Sequence, residues 1–123
     1  MRAQDVMNYV KPIIPNTYYA YTYPTKSNDE CVLIVLHGGM PTRDTGVRQT
    51  TLQFLVRGNV GDVQTAEAKA YELYEEFKYK KDVMIGDWSV SKIQALQSQP
   101  IWTGTDEAKH PIFSLNFQLT IRG

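Results

Sequence analysis

The sequence predicts an α+β fold in which a mainly antiparallel sheet carries one long helix packed on one face and a short N-terminal helix. Two observations predict the sheet: apolar and polar residues alternate over 49–57 and 112–122, and residues 31–36 form a short, unbroken apolar run. One observation predicts the long helix: apolar residues recur every three or four positions over 63–80.

The N-terminal third of the chain predicts a helix followed by two strands. Residues 2–10 suit a short helix, which Pro12 and Pro15 cannot continue. The tyrosine-rich segment 17–24 is typical of a strand that ends in a polar turn. Residues 31–39 predict a buried strand ended by paired glycines, and the glycine-rich segment 38–48 predicts a mobile loop.

The middle of the chain predicts a strand that leads into the long helix. Over residues 49–57 one face carries Leu52, Phe54 and Val56, and the other carries Thr51, Gln53, Leu55 and Arg57. Asp62 is placed to cap the following helix. The helix is expected to pack on the sheet through five apolar positions: Val63, Ala66, Ala70, Leu73 and Phe77. Its charged residues indicate a solvated outer face.

The remaining residues predict further strands. Residues 82–88 suit a short strand or turn, residues 91–104 another strand with Pro100 at an edge or bend, and residues 105–111 a polar loop. The closing strand alternates most cleanly of all. Its predicted core face comprises Phe113, Leu115, Phe117, Leu119 and Ile121, and its opposite face Ser114, Asn116, Gln118, Thr120 and Arg122.

The polar face of the closing strand is unusual because it carries no charge before Arg122. A solvated sheet face usually carries several lysines and glutamates, whereas this one is neutral and rich in hydrogen-bonding groups. Such a face favours contact with another molecule, so we expect Ser114, Asn116 and Gln118 to meet a neighbouring subunit or line a channel.

Composition narrows the class of protein. The 123 residues fit one domain spanning 1–123, and thirteen basic residues balance thirteen acidic ones. Zero net charge argues against a general nucleic-acid binder. A single cysteine excludes an intrachain disulfide framework and favours a reducing cytoplasm. Neither an apolar leader nor a membrane-spanning run is evident, so we expect no membrane partner.

The sequence offers little for catalysis. Cys31 and His37 lie six residues apart on one predicted strand, about 20 Å along it, which is too far for a thiol–imidazole pair. His110 could reach Cys31 only through folding, so a small cytoplasmic cysteine enzyme is kept as an alternative. Asp106 and Glu107 are expected to be solvated turn formers. No cofactor is expected, nor a metal, because no ligand pair has suitable spacing.

Two arginines end strands in similar contexts, Arg57 in LVRG and Arg122 in TIRG. Each of these arginines could equally be exposed to solvent or lie in a subunit interface. The second alternative is kept because arginine is enriched at interfaces. Arg43 and Asp44 lie in the loop 38–48, which we also expect at a subunit or neighbour contact because such loops are mobile until bound.

The order of these segments resembles the tail terminators of long-tailed phages, which are small minor capsid proteins. The resemblance rests on five stretches: IPNTYYAYTYP, CVLIVLHGG, TTLQFLVRG, DVQTAEAKAYELYEEF and SQPIWTGTDEAKHPIFSLNFQLTIRG. The turn from Pro100 to Asp106 and the strand from Phe113 to Phe117 are its most specific parts, together with the strand–Arg–Gly–helix unit at 51–77. One departure is His110–Pro111, where a basic residue is expected and Lys109 could substitute.

The resemblance implies a subunit of a homohexameric ring at the head–tail junction of a virion, assembled in the host cytoplasm. Such a ring caps the tail tube, stops its polymerisation and docks to the filled head, so its partners are the tail tube protein and a head-completion connector. It implies a curved sheet that faces the ring interior or a neighbour, helices outside, DNA passing through the lumen without specific binding, and no catalytic residues. A head-completion or stopper protein on the capsid side is the alternative.

Overall fold

The structure, a computed structural model, describes residues 1–43 and 46–122. These residues contain two helices and seven strands. The elements in chain order are α1 (Ala3–Val10), β1 (Tyr18–Ala20), β2 (Cys31–Met40), β3 (Arg48–Arg57), α2 (Val63–Phe77), β4 (Tyr79–Ile85), β5 (Trp88–Ala95), β6 (Ile101–Thr105) and β7 (Pro111–Ile121).

The strands form one sheet in the order β1-β2-β3-β7-β5-β4. Strand β3 pairs along nearly the whole of β7, so β5 and β6 share the other edge of β7: β5 pairs with residues 117–121 and β6 with residues 111–114. Only β1 and β2 are parallel among these pairs. The predicted α+β class with a mainly antiparallel sheet is therefore confirmed.

Both helices pack on the same face of the sheet, around an aromatic cluster. The ring of Phe77 on α2 lies 5.2 Å from that of Phe54 on β3 and 5.8 Å from that of Phe117 on β7. Tyr9 on α1 joins the cluster through an edge contact with Phe77 at 6.0 Å. The alternation predicted for the closing strand is confirmed, because its five core positions are all buried: Phe113, Leu115, Phe117, Leu119 and Ile121.

Helix α2 begins as predicted but is shorter, with 15 residues. The Asp62 carboxylate accepts a hydrogen bond from the Thr65 amide at 3.1 Å, which confirms the N-cap. The helix stops at Phe77 because the next residues enter β4 and pair with β5, Lys80 lying opposite Ile93. The expectation of one long helix over 63–80 is thus not confirmed.

The core stripe of α2 begins one turn later than predicted. Val63 is 43% exposed, whereas Ala66, Ala70, Leu73 and Phe77 are buried. A close contact just after β3 accounts for this difference: a methyl group added at Gly58 would lie only 2.7 Å from Cβ of Ala66. The helix therefore meets the end of β3 at Ala66, and its first turn lies beyond that contact.

Three other predicted elements differ in extent. The tyrosine-rich segment forms only a three-residue strand, because Tyr21 takes a left-handed conformation with φ of 66°. Strands β2 and β3 extend into the predicted 38–48 loop and leave 41–47 as the connection. The single strand expected over 91–104 is divided into β5 and β6, with Pro100 buried between them.

Replacing Leu73 with Asp should abolish folding, since it would place an unpaired charge in the helix–sheet core. The milder change Leu73→Ala should lower the free energy of unfolding by about 2–5 kcal/mol. Urea denaturation followed by circular dichroism measures both effects. Tyr71→Asp, on the exposed side of the same helix, is the matched control and should change stability by about 0.5 kcal/mol or less. A soluble Leu73→Asp protein with a cooperative transition would contradict the orientation of α2.

Candidate interaction surface

The face of the sheet opposite the helices is the candidate functional surface, and we call its part on β2, β3 and β7 the open face. By strand alternation and register it includes Leu33, Val35 and His37 on β2, Thr51, Gln53 and Leu55 on β3, and Ser114, Asn116, Gln118 and Thr120 on β7. Both described helices lie on the other side of the sheet, with the aromatic cluster.

Polar side chains on the open face form a hydrogen-bonded row across three strands. His37 Nε2 lies 3.1 Å from Gln53 Oε1, and Gln53 Nε2 donates to Ser114 Oγ at 3.1 Å. Asn116 Nδ2 donates to the same hydroxyl at 3.3 Å. The row therefore holds the side chains of Gln53 and Asn116 in defined orientations before any partner binds.

The structure brings together three of the residues predicted for an interaction surface. Ser114 is buried beneath the row, while Asn116 and Gln118 are half-buried, and none of the three carries a charge. Sequence reasoning missed His37 and Gln53 as members of this surface. Strand alternation put Gln53 on the same face as Thr51, but only the register of β3 against β7 places it opposite Asn116. The expected contact of these residues with a neighbour or a channel stays a prediction.

Arg57 closes one end of the open face by binding the segment that connects β1 to β2. Its guanidinium donates to Ser27 Oγ at 3.0 Å and to the carbonyl oxygens of Asn28 and Asp29 at 2.6 and 3.0 Å. The ring of Tyr23 lies 4.3 Å from the guanidinium carbon. Arg57 is only 7% exposed, so the interpretation of this arginine as solvent-exposed is wrong. Its contact with a neighbouring subunit stays a prediction.

His110 extends this network to the loop between β6 and β7. Its Nδ1 lies 2.9 Å from Asp106 Oδ2, and its Nε2 lies 3.1 Å from Asp29 Oδ1. The two ring nitrogens of His110 therefore face carboxylates from two different loops. His110 thereby joins two loops at the same end of the sheet as Arg57.

Asp106 is a structural residue and not merely a solvated turn former. Its carboxylate accepts a hydrogen bond from the His110 amide at 2.9 Å as well as facing the ring. Burial alone would raise the pKa of Asp106, but the hydrogen bonds and charge of His110 outweigh it and hold that pKa below its ordinary value of 3.8. Glu107 beside it is exposed, as predicted.

The other predicted contact residues lie at the opposite end of the sheet. Arg43 is exposed in the β2–β3 connection, where its amide donates to the Val47 carbonyl at 3.0 Å. Asp44 lies outside the described residues. Arg122 is exposed and lies 3.4 Å from the Asp82 carboxylate. The structure therefore does not bring Arg43 and Arg122 together with Arg57.

Cys31 is placed for packing and not for nucleophilic chemistry. It is fully buried on β2, opposite Arg57 on β3. Burial raises the pKa of the Cys31 thiol, and the nearby guanidinium of Arg57 offsets this only in part. Residues 1–43 and 46–122 contain neither a cluster of potential metal ligands nor an enclosed pocket. No described helix is both long and apolar enough to cross a membrane.

Comparison with known proteins identifies one family. A family model described as bacteriophage tail terminator protein matches residues 4–122, which is nearly the whole chain. No curated protein matches the sequence. The match covers both helices except Ala3, and it covers all seven strands, the open face and the Arg57 network.

Replacing Arg57 with Ala should lower the free energy of unfolding by about 2 kcal/mol or more, because the carbonyls of Asn28 and Asp29 lose their donor. Urea denaturation measures the change. Arg122→Ala is the control: it also removes a strand-end arginine, but one held by a single exposed ion pair, and should cost about 0.5 kcal/mol or less. Equal losses in the two variants would contradict the structural role of Arg57.

Asp106 should make stability depend on pH in the acid range. Because its pKa is lowered in the folded chain, its contribution is fully present above the unfolded value of 3.8 and is lost as the pH falls through the folded value. Asp106→Asn should therefore be less stable than the unmodified protein near neutral pH, and the difference should shrink at about pH 3. Urea titrations at both pH values, with Glu107→Gln as the control, test this. A difference that is the same at both pH values would contradict it.

Proposed function

The chain belongs to the bacteriophage tail terminator family, and on this basis we propose that it forms a hexameric ring that ends polymerisation of the tail tube and joins the tail to the head. It is then a structural protein of the virion, located at the head–tail junction after assembly in the host cytoplasm. Its partners are further copies of itself, the tail tube protein and a head-completion connector.

The observation that carries this proposal is the neutral, hydrogen-bonded open face. Both helices cover the other side of the sheet, so the open face has no helix over it, and it carries no charge between Arg57 at one end and Lys92 of β5, which lies opposite Thr120. In the proposed ring the sheet curves around the lumen, the open face lines the lumen, and the helices lie outside. The charged outer side of α2, with Glu67, Glu72 and Glu75 exposed, suits a solvated exterior.

A neutral lining suits a channel through which DNA must move. Each phosphate that a lysine or arginine neutralises adds salt-dependent affinity, so a basic lining would retain the DNA. The side-chain amides of Gln53, Asn116 and Gln118 form hydrogen bonds with water along the channel wall and carry no charge that would bind phosphates. DNA therefore passes through the lumen without specific binding.

The oligomeric state in solution and in the virion tests the ring. Native mass spectrometry of the purified protein, or particle averaging of tails, should give six copies per ring. A protein that is monomeric in solution and absent from purified virions would contradict the proposal. Antibody labelling of separated heads and tails distinguishes it from a stopper on the capsid side, since a terminator should stay with tails.

Adding charge to the open face should create DNA binding without breaking the ring. Gln118→Arg places six cations in the lumen of a hexamer, and we expect its DNA affinity to rise and to fall steeply with salt. Gln64→Arg, the same change on the exposed side of α2, is the matched control and should bind DNA more weakly. Fluorescence anisotropy with labelled DNA over a salt series measures both. Loss of the ring in Gln118→Arg would place this face at a subunit contact and contradict its position in the lumen.

A further inference from the structure

The sheet has three free edges within the described residues, on β1, β4 and β6. Free edges expose unpaired backbone groups, and soluble proteins usually protect them with charge or irregular backbone. Strand β4 is protected in this way, because it carries Lys80 and Lys81 and then Asp82 with φ of 52°. Neither β1 nor β6 contains a charged residue; β1 has only three residues and is followed by Tyr21 with φ of 66°, whereas β6 has five residues.

Strand β6 is the most exposed apolar strand of the sheet. Ile101 is 43% exposed and Trp102 is 49% exposed, while four of its five residues are open to solvent. The indole of Trp102 packs 5.2 Å from the ring of Phe113, at the margin of the core. Both faces of this edge therefore present apolar surface: Ile101 on the side of the open face and Trp102 on the side of the helices.

Strand β1 presents a complementary edge on the other side of the sheet. The Tyr21 amide donates to the Ile34 carbonyl, and the Val32 amide donates to the Thr17 carbonyl, so odd-numbered residues of this strand face β2. The backbone groups of Tyr18 and Ala20 consequently point away from the sheet. Thr22 N–H bonds the Ala20 carbonyl, which leaves the amide of Ala20 and both groups of Tyr18 directed outward.

These two edges lie at the same height along the strands. The register defines one row straight across five strands, which contains Tyr19, Leu33, Leu55, Ser114 and Ile101. Tyr19 and Ile101 are thus the two ends of a single row. Strand β1 runs parallel to β2, and β6 runs opposite to β7 and hence opposite to β1.

We propose that β6 of one subunit pairs antiparallel with β1 of the next, so that the sheets of neighbouring copies are continuous around the ring. The inference rests on the proposed function and names the surfaces that join its subunits. The two edges are different and lie on opposite sides of one subunit, as a head-to-tail contact in a closed ring requires. Strands β1 and β6 are both uncharged, so their contact buries no charge. If β4 took the place of either strand, the contact would bury Lys80 or Lys81.

Trp102 is the expected anchor of this contact. Its half-exposed indole already rests on Phe113, so a neighbour that covers it removes apolar surface from water without first ordering the side chain. Ile101 and Tyr19 then form a cross-strand pair on the side of the lumen.

Cross-linking tests the pairing directly. In an antiparallel ladder, opposed Cα atoms lie about 4.5–5.5 Å apart, which is within disulfide range. A Tyr19→Cys, Ile101→Cys double variant should form covalent oligomers of up to six chains on oxidation. A mixture of the two single variants should give only dimers, because each chain then carries only one of the two introduced cysteines. The unmodified protein is the control, since its Cys31 is fully buried.

A charge on the β6 edge gives an independent readout. Ile101→Lys should weaken ring assembly about tenfold or more, as judged by the concentration at which native mass spectra show half assembly. Met84→Lys is the matched control, because Met84 is an exposed apolar residue (58%) on the protected edge strand β4, and should leave assembly within about twofold.

The outcomes separate this inference from the proposed function. Rings that form with unmodified affinity in Ile101→Lys, and that give no cross-link between positions 19 and 101, contradict the edge pairing and leave the ring in place. An unmodified protein that stays monomeric and is absent from virions contradicts both. Retained melting transitions in all variants confirm that the comparison is made between folded chains.

Discussion

The packing of Phe77 against Phe54 and Phe117 is the contact on which the rest of the structure depends. It fixes α2 across β3 and β7, the two strands at the centre of the sheet, and Tyr9 brings α1 onto the same side. Successive side chains on a strand point to opposite faces. Since one face of the sheet is buried in this core, the polar residues of β3 and β7 lie on the other face. The two-layer arrangement, with one sheet face not covered by helices, follows from this packing.

Charge is distributed so that the open face stays neutral. Arg57 lies on that side at the end of β3, but its guanidinium is buried and donates to Ser27, Asn28 and Asp29, and His110 contacts Asp106 in the next loop. A buried charged group is less costly when its donors are hydrogen-bonded. The network therefore anchors two loops while it leaves the middle of the face to amides, hydroxyls and small apolar groups.

The edges of the sheet and its open face fit together in the proposed assembly. A row that crosses five strands from Tyr19 to Ile101 and continues into the next subunit would place every open face on the same side of the ring. The neutral lining and the joining edges are thus two consequences of one sheet. Lysines on β4 keep the third free edge from competing in this contact.

The elements that depend on local periodicity could be predicted from the order of residues alone. The sequence predicted the alternating core of β7, the buried strand from Cys31, the cap at Asp62 and the stripe from Ala66 to Phe77, because burial imposes a period of two or 3.6 on neighbouring residues. Its motif order also indicated the family that the family model matches.

Features that join distant segments became evident only from the folded chain. Val63 falls outside the core because Gly58 sets where the helix meets the sheet, and β5 and β6 separate because both pair with β7. Arg57 is buried because the segment from Ser27 to Asp29 folds over it, and Gln53 meets Ser114 only through the register of β3 and β7. Such contacts depend on pairing across tens of residues, which periodicity along the chain does not encode.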